Sequence, residues 1–284
     1  SAVNARGRPA VYSERGANIL VSAPGGLICN TSELAITTTF PEGGERRDDW
    51  PNDYSDQPAY TRCFNGTSAA APGVAGVAAL VLEANPDLSW REVRWILATT
   101  ARDEDIPPDA DTNPLGESDK WRENAAGHRV SHAFGHGLVD AGAAVAEAEK
   151  WATQGSPLGD LSSSEKGPFT FPSLAPGSVD NPAEHSETVS VTNSGIGTIE
   201  AVEVAFEGWS HPAWGALEIE LQRLNGNNEV ISRSILVESH YCVALILSED
   251  GSERRPEVVE CPLGSPQSWT FSTTHHLGEA ADGT

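Results

Sequence analysis

The eight residues Asn65-Gly66-Thr67-Ser68-Ala69-Ala70-Ala71-Pro72 constrain this chain more than any other stretch. Behind them runs an apolar segment, from Val74 through Val77 and Leu80 to Leu82. Its alanines keep helix propensity high and permit close packing. The segment predicts a buried helix with Pro72 in its first turn, where a missing N–H and a fixed φ do least harm. Ser68 then stands at the amino end of the helix, where free amides and the helix dipole favour developing negative charge. A serine so placed can attack a carbonyl while its own N–H holds the oxyanion that forms. The plainer reading is an N-cap serine with no chemistry.

The full octet decides between these readings, because Gly-Thr-Ser-Ala-Ala-Ala-Pro entering an Ala/Gly-rich helix resembles the nucleophile motif of the subtilisin-like serine proteases. Two further phrases narrow the resemblance. Leu-Glu-Ala-Asn-Pro-Asp-Leu-Ser-Trp-Arg-Glu at 82–92 and Val-Ser-His-Ala-Phe-Gly-His-Gly-Leu-Val-Asp-Ala-Gly-Ala at 130–143 are similar to the kexin/furin branch, the proprotein convertases and their bacterial relatives. In that branch a β-sandwich, the P domain, follows the protease. The resemblance implies an α/β subtilisin-like domain, of which only the C-terminal portion is present, followed by an all-β P-domain sandwich of jelly-roll type. The implied boundaries are 1–153 for the peptidase part, 154–180 for a linker with a first edge strand, and 181–284 for a P domain truncated at its C-terminus.

Local patterns agree with this division. The segment 10–16 reads as an exposed strand and turn, and 18–23 as a short apolar strand stopped by Pro24-Gly25-Gly26. Ile36-Thr37-Thr38-Thr39 is β-rich, and 40–62 is a polar surface loop. Ser89 and Glu92 form a capping box ahead of Val93, Ile96 and Leu97 at helical spacing. A third helix is expected over 141–151. Beyond a stretch rich in Ser, Gly and Pro, the period becomes two: Val202, Val204 and Phe206 face one way, with Glu203 opposed. Further strands are expected at 187–192, 216–224, 230–236, 241–247 and 269–273, with Asn225-Gly226 as one of the turns.

Composition limits the partners. The chain carries 41 acidic against 18 basic side chains, a formal net charge of -23. Such a surface repels nucleic acid and serves solubility. No uninterrupted apolar stretch approaches the length of a bilayer span. Four cysteines fall as two local pairs, and Cys29–Cys63 and Cys242–Cys261 disulfides are expected, although four cysteines allow three pairings. Disulfides place the protein outside the reducing cytosol, in the secretory pathway, the periplasm or the extracellular space.

The serine needs a base and a carboxylate to orient it. The family's His-Gly-Thr, Asp-Ser/Thr-Gly and Ser/Ala-Gly-Asn phrases do not occur here, so the catalytic His and Asp and the oxyanion Asn are expected upstream of Ser1. His132, beside the Phe-Gly-x-Gly turn, is read as a hydrogen-bonded turn residue, and His275-His276 as a strand pair pointing opposite ways. The resemblance assigns Ser68 as nucleophile, Asn65, Gly66 and Thr67 as its loop, and Glu14 as one ligand of a calcium ion, a hard cation suited to carboxylate oxygen. It implies a serine endopeptidase acting on peptide or protein substrates, with its own propeptide and the missing N-terminal half of the domain as further partners. A reading of another class is a catalytically dead exported binding or adhesion protein built on the sandwich.

Overall fold

The computed structural model describes residues 1–27, 34–41, 59–103, 120–165, 167, 186, 188–191, 194–209, 217–238, 242–247, 254–259 and 267–281. Among the described residues, three helices organise the first half: α1 (Thr67–Ala84), α2 (Trp90–Thr99) and α3 (Ala141–Gln154). Short strands accompany them: β1 (Ala2–Val3), β2 (Ala23–Pro24), β3 (Ile36–Thr39), β4 (Tyr60–Phe64), β5 (Arg122–Glu123) and β6 (Arg129–Val130). β1 and β2 run parallel, Ala2 beside Ala23, while β3–β4 and β5–β6 are antiparallel.

Small residues explain where α1 lies. Ala2, Ala10, Ala23 and Ala70 form one buried cluster, so the amino end of α1 packs directly over the β1–β2 pair. Its carboxyl end meets α2 and α3 through Val81, Val93, Ile96, Leu97, Ala144, Ala148 and Trp151. The capping box is present: the Ser89 side chain accepts from the Glu92 N–H, and the Glu92 carboxylate accepts the Ser89 N–H at 2.7 Å. Changing Ser89 to Ala is expected to cost about 1 kcal/mol, read as a lower urea midpoint at unchanged m-value. An unshifted midpoint would show the box to be idle.

Several expectations change. α1 begins at Thr67, ahead of the apolar run, because Gly66 at φ 97° serves as its N-cap. Pro72 is therefore its sixth residue, in the second turn, and its missing N–H leaves the Ser68 carbonyl without its α-helical donor. Nor is the helix buried as a whole. Only Ala69, Ala70 and Val81 are, while Leu80 and Leu82 are 46% and 40% exposed, because the helix is apolar on every side but packed on one. By length and composition alone its 18 residues, with mean hydropathy 1.4, would also suit a membrane span, which the sequence pattern did not suggest. The segment 10–16 is turn rather than strand, and the strand expected over 18–23 reduces to β2.

Among the described residues the second half holds six antiparallel strands: β7 (Val202–Trp209), β8 (Ile219–Leu224), β9 (Val230–Val237), β10 (Cys242–Leu247), β11 (Arg254–Val259) and β12 (Gln267–Thr273). They pair as β7–β12, β8–β9 and β10–β11. The expected alternation holds in β7, where Glu203, Ala205 and Glu207 are exposed and the residues between them partly covered. β11 is a strand the sequence reading omitted, since Pro256 within it argues against one. The β8–β9 turn uses the Asn225 side chain, which accepts from the N–H groups of Asn227 and Glu229, with Asn228 at φ 62°. A hydrogen bond between the Ser234 and Thr273 hydroxyls ties β9 to β12.

Candidate active site

Ser68 is the second residue of α1 and is exposed. No carbonyl one turn earlier lies within the helix to take its N–H. Its hydroxyl makes no hydrogen bond among the described residues, so it is not serving as a cap. The first turn closes instead on Gly66, whose carbonyl accepts from the Ala69 N–H at 2.9 Å and the Ala70 N–H at 3.3 Å. Thr67 is exposed beside Ser68. Asn65 turns away from it, and its side-chain amide donates to the Cys63 carbonyl at 3.1 Å. The arrangement is a bare hydroxyl and a free amide at the positive end of a helix, suited to attack on a carbonyl and to stabilising the resulting anion.

Cys63, which ends on the same short connection, is disulfide-bonded. Cys29 and Cys261 lie outside the described residues, and Cys242 is described by its backbone.

One functional candidate escaped the sequence reading. The Tyr12 phenol reaches under the loop, accepts the Gly66 N–H at 3.0 Å and donates to the Gly25 carbonyl at 2.8 Å. No spacing rule marks a side chain whose partners are all backbone atoms. The only available signal was the two glycines at 25 and 26, since a Cβ on Gly25 would stand 2.9 Å from the Gly66 carbonyl oxygen.

The histidines assemble elsewhere. His132 is buried in a turn, as expected, but its ring makes no hydrogen bond among the described residues and stands 4.7 Å from that of His275. His275 and His276 are not in a strand: β12 ends at Thr273, and both lie buried in the turn that follows. That turn is fastened to the first half. The Thr274 N–H donates to the Ala17 carbonyl, the His136 Nε2 pairs with the Thr274 carbonyl at 3.2 Å, and the Asn124 amide donates to the carbonyls of His275 and Leu277. The buried Glu279 carboxylate pairs with the His276 Nδ1 and with Arg223, each at 3.1 Å. Although burial opposes ionisation, hydrogen bonds from His276, Ser232 and the Ala125 N–H hold the Glu279 carboxyl down to about 2. Separately, Arg91 of α2 pairs with Glu200 through both carboxylate oxygens. These groups join the two halves and are a junction, not a catalytic set.

Glu14 is exposed. Among the described residues no group of three or more His, Cys, Asp or Glu side chains is placed to hold a metal. A single carboxylate falls short of the six to eight oxygens calcium takes. The chain's described residues thus do not make a calcium site on their own.

The subtilase family matches residues 1–137. Human proprotein convertase subtilisin/kexin type 6 is 33% identical over 229 residues, 78% of this chain and 20% of that protein. Mouse furin is 41% identical over 93 residues, 33% of this chain and 10% of its own length. The crystal structure of an Aeromonas sobria serine protease bound to its chaperone superimposes with a TM-score of 0.69 at 26% identity, covering 100% of this chain and 48% of that one. The chain therefore spans about a fifth of the human convertase and about half of the Aeromonas protease. With its exposed serine at the head of an alanine-lined helix, the chain matches the subtilase family over residues 1–137 and is similar to that family's convertases of kexin/furin type.

Proposed function

We propose that this chain is the nucleophile-bearing part of a serine endopeptidase of convertase type, with Ser68 as the residue acylated by peptide or protein substrates. The observation that carries the proposal is the exposed Ser68 hydroxyl, without a hydrogen bond among the described residues, at the second position of α1. In this reading the Ser68 oxygen adds to the scissile carbonyl and its proton passes to a histidine. The oxyanion takes the Ser68 N–H, the amine leaves with the proton, and water then releases the acyl group. The base, its orienting aspartate and the oxyanion asparagine belong to residues before Ser1.

The apolar face of α1 supports that division. Ala75, Gly76, Ala79, Leu80 and Leu82 are exposed together, and a face of this kind ordinarily meets a protein partner. We assign the rest of the subtilase domain as its cover. The six described strands of the second half are assigned to a P domain over 181–284, with 154–180 as linker, and the junction of the 274–279 turn as the contact through which it steadies the peptidase part. The disulfides Cys29–Cys63 and Cys242–Cys261, export into an oxidising compartment and a calcium ion taking Glu14 together with ligands upstream complete the proposal.

The 284-residue chain on its own is expected to show no turnover of peptide substrates, whereas the same chain preceded by its upstream half cleaves them. Turnover by the chain alone that disappears in Ser68→Ala would require a base within it and would overturn this account.

A further inference from the structure

We infer that Tyr12 is a positioning residue for the nucleophile: its phenol clamps the Gly66 peptide and thereby sets the first turn of α1 from which Ser68 projects. The inference rests on the reading of Ser68 as nucleophile.

The clamp joins three points far apart in sequence. The Tyr12 oxygen accepts the Gly66 N–H at 3.0 Å, and its own hydrogen goes to the Gly25 carbonyl at 2.8 Å, with the Gly26 carbonyl also in reach. The Gly66 N–H is shared with the Gly25 carbonyl at 3.0 Å, so phenol and turn grip the same amide. Both ends of Gly66 are thereby committed, its amide to the clamp and its carbonyl to the N–H groups of Ala69 and Ala70. Rotating the peptide that enters Gly66 would break one set or the other and swing Ser68, two residues on.

The clamp has room only because its walls lack side chains. A Cβ on Gly25 would lie 2.6 Å from the Ala2 Cβ, 2.9 Å from the Gly66 oxygen and 3.0 Å from the Tyr12 oxygen. Gly26, at φ +70°, would put a Cβ 2.7 Å from the Ala35 Cα. The Tyr12 ring packs against the cluster of Ala2, Ala10, Ala23 and Ala70, and so fixes the phenol from the apolar side. Burial also raises the phenol above its ordinary ionisation range, against the opposing effect of the Gly66 N–H, so the hydroxyl remains a donor in alkaline solution.

Because a phenylalanine keeps the ring and removes only the oxygen, Tyr12→Phe separates positioning from packing. In the protein that includes the residues before Ser1, this variant is expected to lower kcat about ten- to a hundredfold with KM within about twofold of wild type. The rate of acylation in a single turnover falls by the same factor. A wild-type kcat, or a loss confined to KM, overturns the inference. Ser68→Ala is measured alongside. Activity surviving in that variant removes the nucleophile reading and this inference with it, whereas a dead Ser68→Ala beside a fully active Tyr12→Phe removes the inference alone. Hydrogen exchange of the wild-type protein tests the clamp without any variant. The Gly66 amide should be protected like the amides inside α1, and exchange at the rate of an open loop contradicts the clamp even if Tyr12→Phe fails to fold.

Discussion

Replacing Ser68 with alanine, in the protein that includes the residues before Ser1, will lower kcat/KM for a peptide substrate by about 10⁴- to 10⁶-fold while leaving the folded state as stable as before. The two halves of this expectation come from the same geometry. The hydroxyl is exposed and bonds to none of the described residues, so its removal leaves no buried partner unsatisfied. Alanine is also the better helix former, by a few tenths of a kcal/mol. A serine acting as a cap would behave in the opposite way, costing about 1 kcal/mol of stability on replacement and nothing in rate. Steady-state kinetics beside a thermal melt therefore distinguish the two roles. Activity within about tenfold of wild type would rule Ser68 out as the acylated group.

The second large effect is expected from acid. Burial pushes His132 down to about 4, helped by Arg122, and pushes His136 down to about 4 against the favourable Thr274 carbonyl. His275, faced by His132, is driven well below its usual range for the same reason. The small cavity between His132 and His275 is otherwise lined by Lys120, Arg122, Val130, Ser131, Arg233 and Ile235, with no carboxylate among the described residues to welcome an imidazolium. His128 stands edge-on to His136 with a ring separation of 6.2 Å and adds no negative charge.

The sign follows from comparing folded and unfolded chains. These histidines are neutral when folded and take protons near pH 6.5 when unfolded, so the stability they contribute is whole above pH 6.5 and is lost as pH falls toward 4. Each of His132 and His136 accounts for about 3 kcal/mol over that window. Glu279 acts lower down. Its contribution is whole above its ordinary 4.5 and fades as pH approaches 2. Urea unfolding at a series of pH values should show a steep loss between 6.5 and 4, and His132→Gln should make that slope shallower by about one proton. A flat profile across this interval would mean that the histidines are not buried in the folded protein.

What the sequence revealed, and what it hid, follows from the kind of interaction involved. The nucleophile phrase, the capping box at Ser89 and Glu92 and the alternation in β7 are local, and each leaves a pattern within a few residues. The Tyr12 clamp spans 54 residues and bonds only backbone atoms, so nothing near Tyr12 or Gly66 marks it. The histidine junction was hidden for a related reason. His275 and His276 continue the β12 pattern in sequence, but Thr274 hands its N–H to Ala17 in the other half, and the strand ends there. The apolar run of α1 indicated a helix, yet an all-apolar pattern is silent about which face a given length of chain will cover. β11 was concealed by Pro256, a residue that demotes a strand locally although the pairing with β10 tolerates it.

Covalent capture reads the central claim most directly. The protein that includes the residues before Ser1 would be treated with a fluorophosphonate, which phosphonylates only an activated serine, digested, and its peptides weighed by mass spectrometry. The account predicts one stoichiometric adduct, on Ser68, that forms in step with loss of activity. An adduct on any other serine, or full inactivation with Ser68 unmodified, would contradict it.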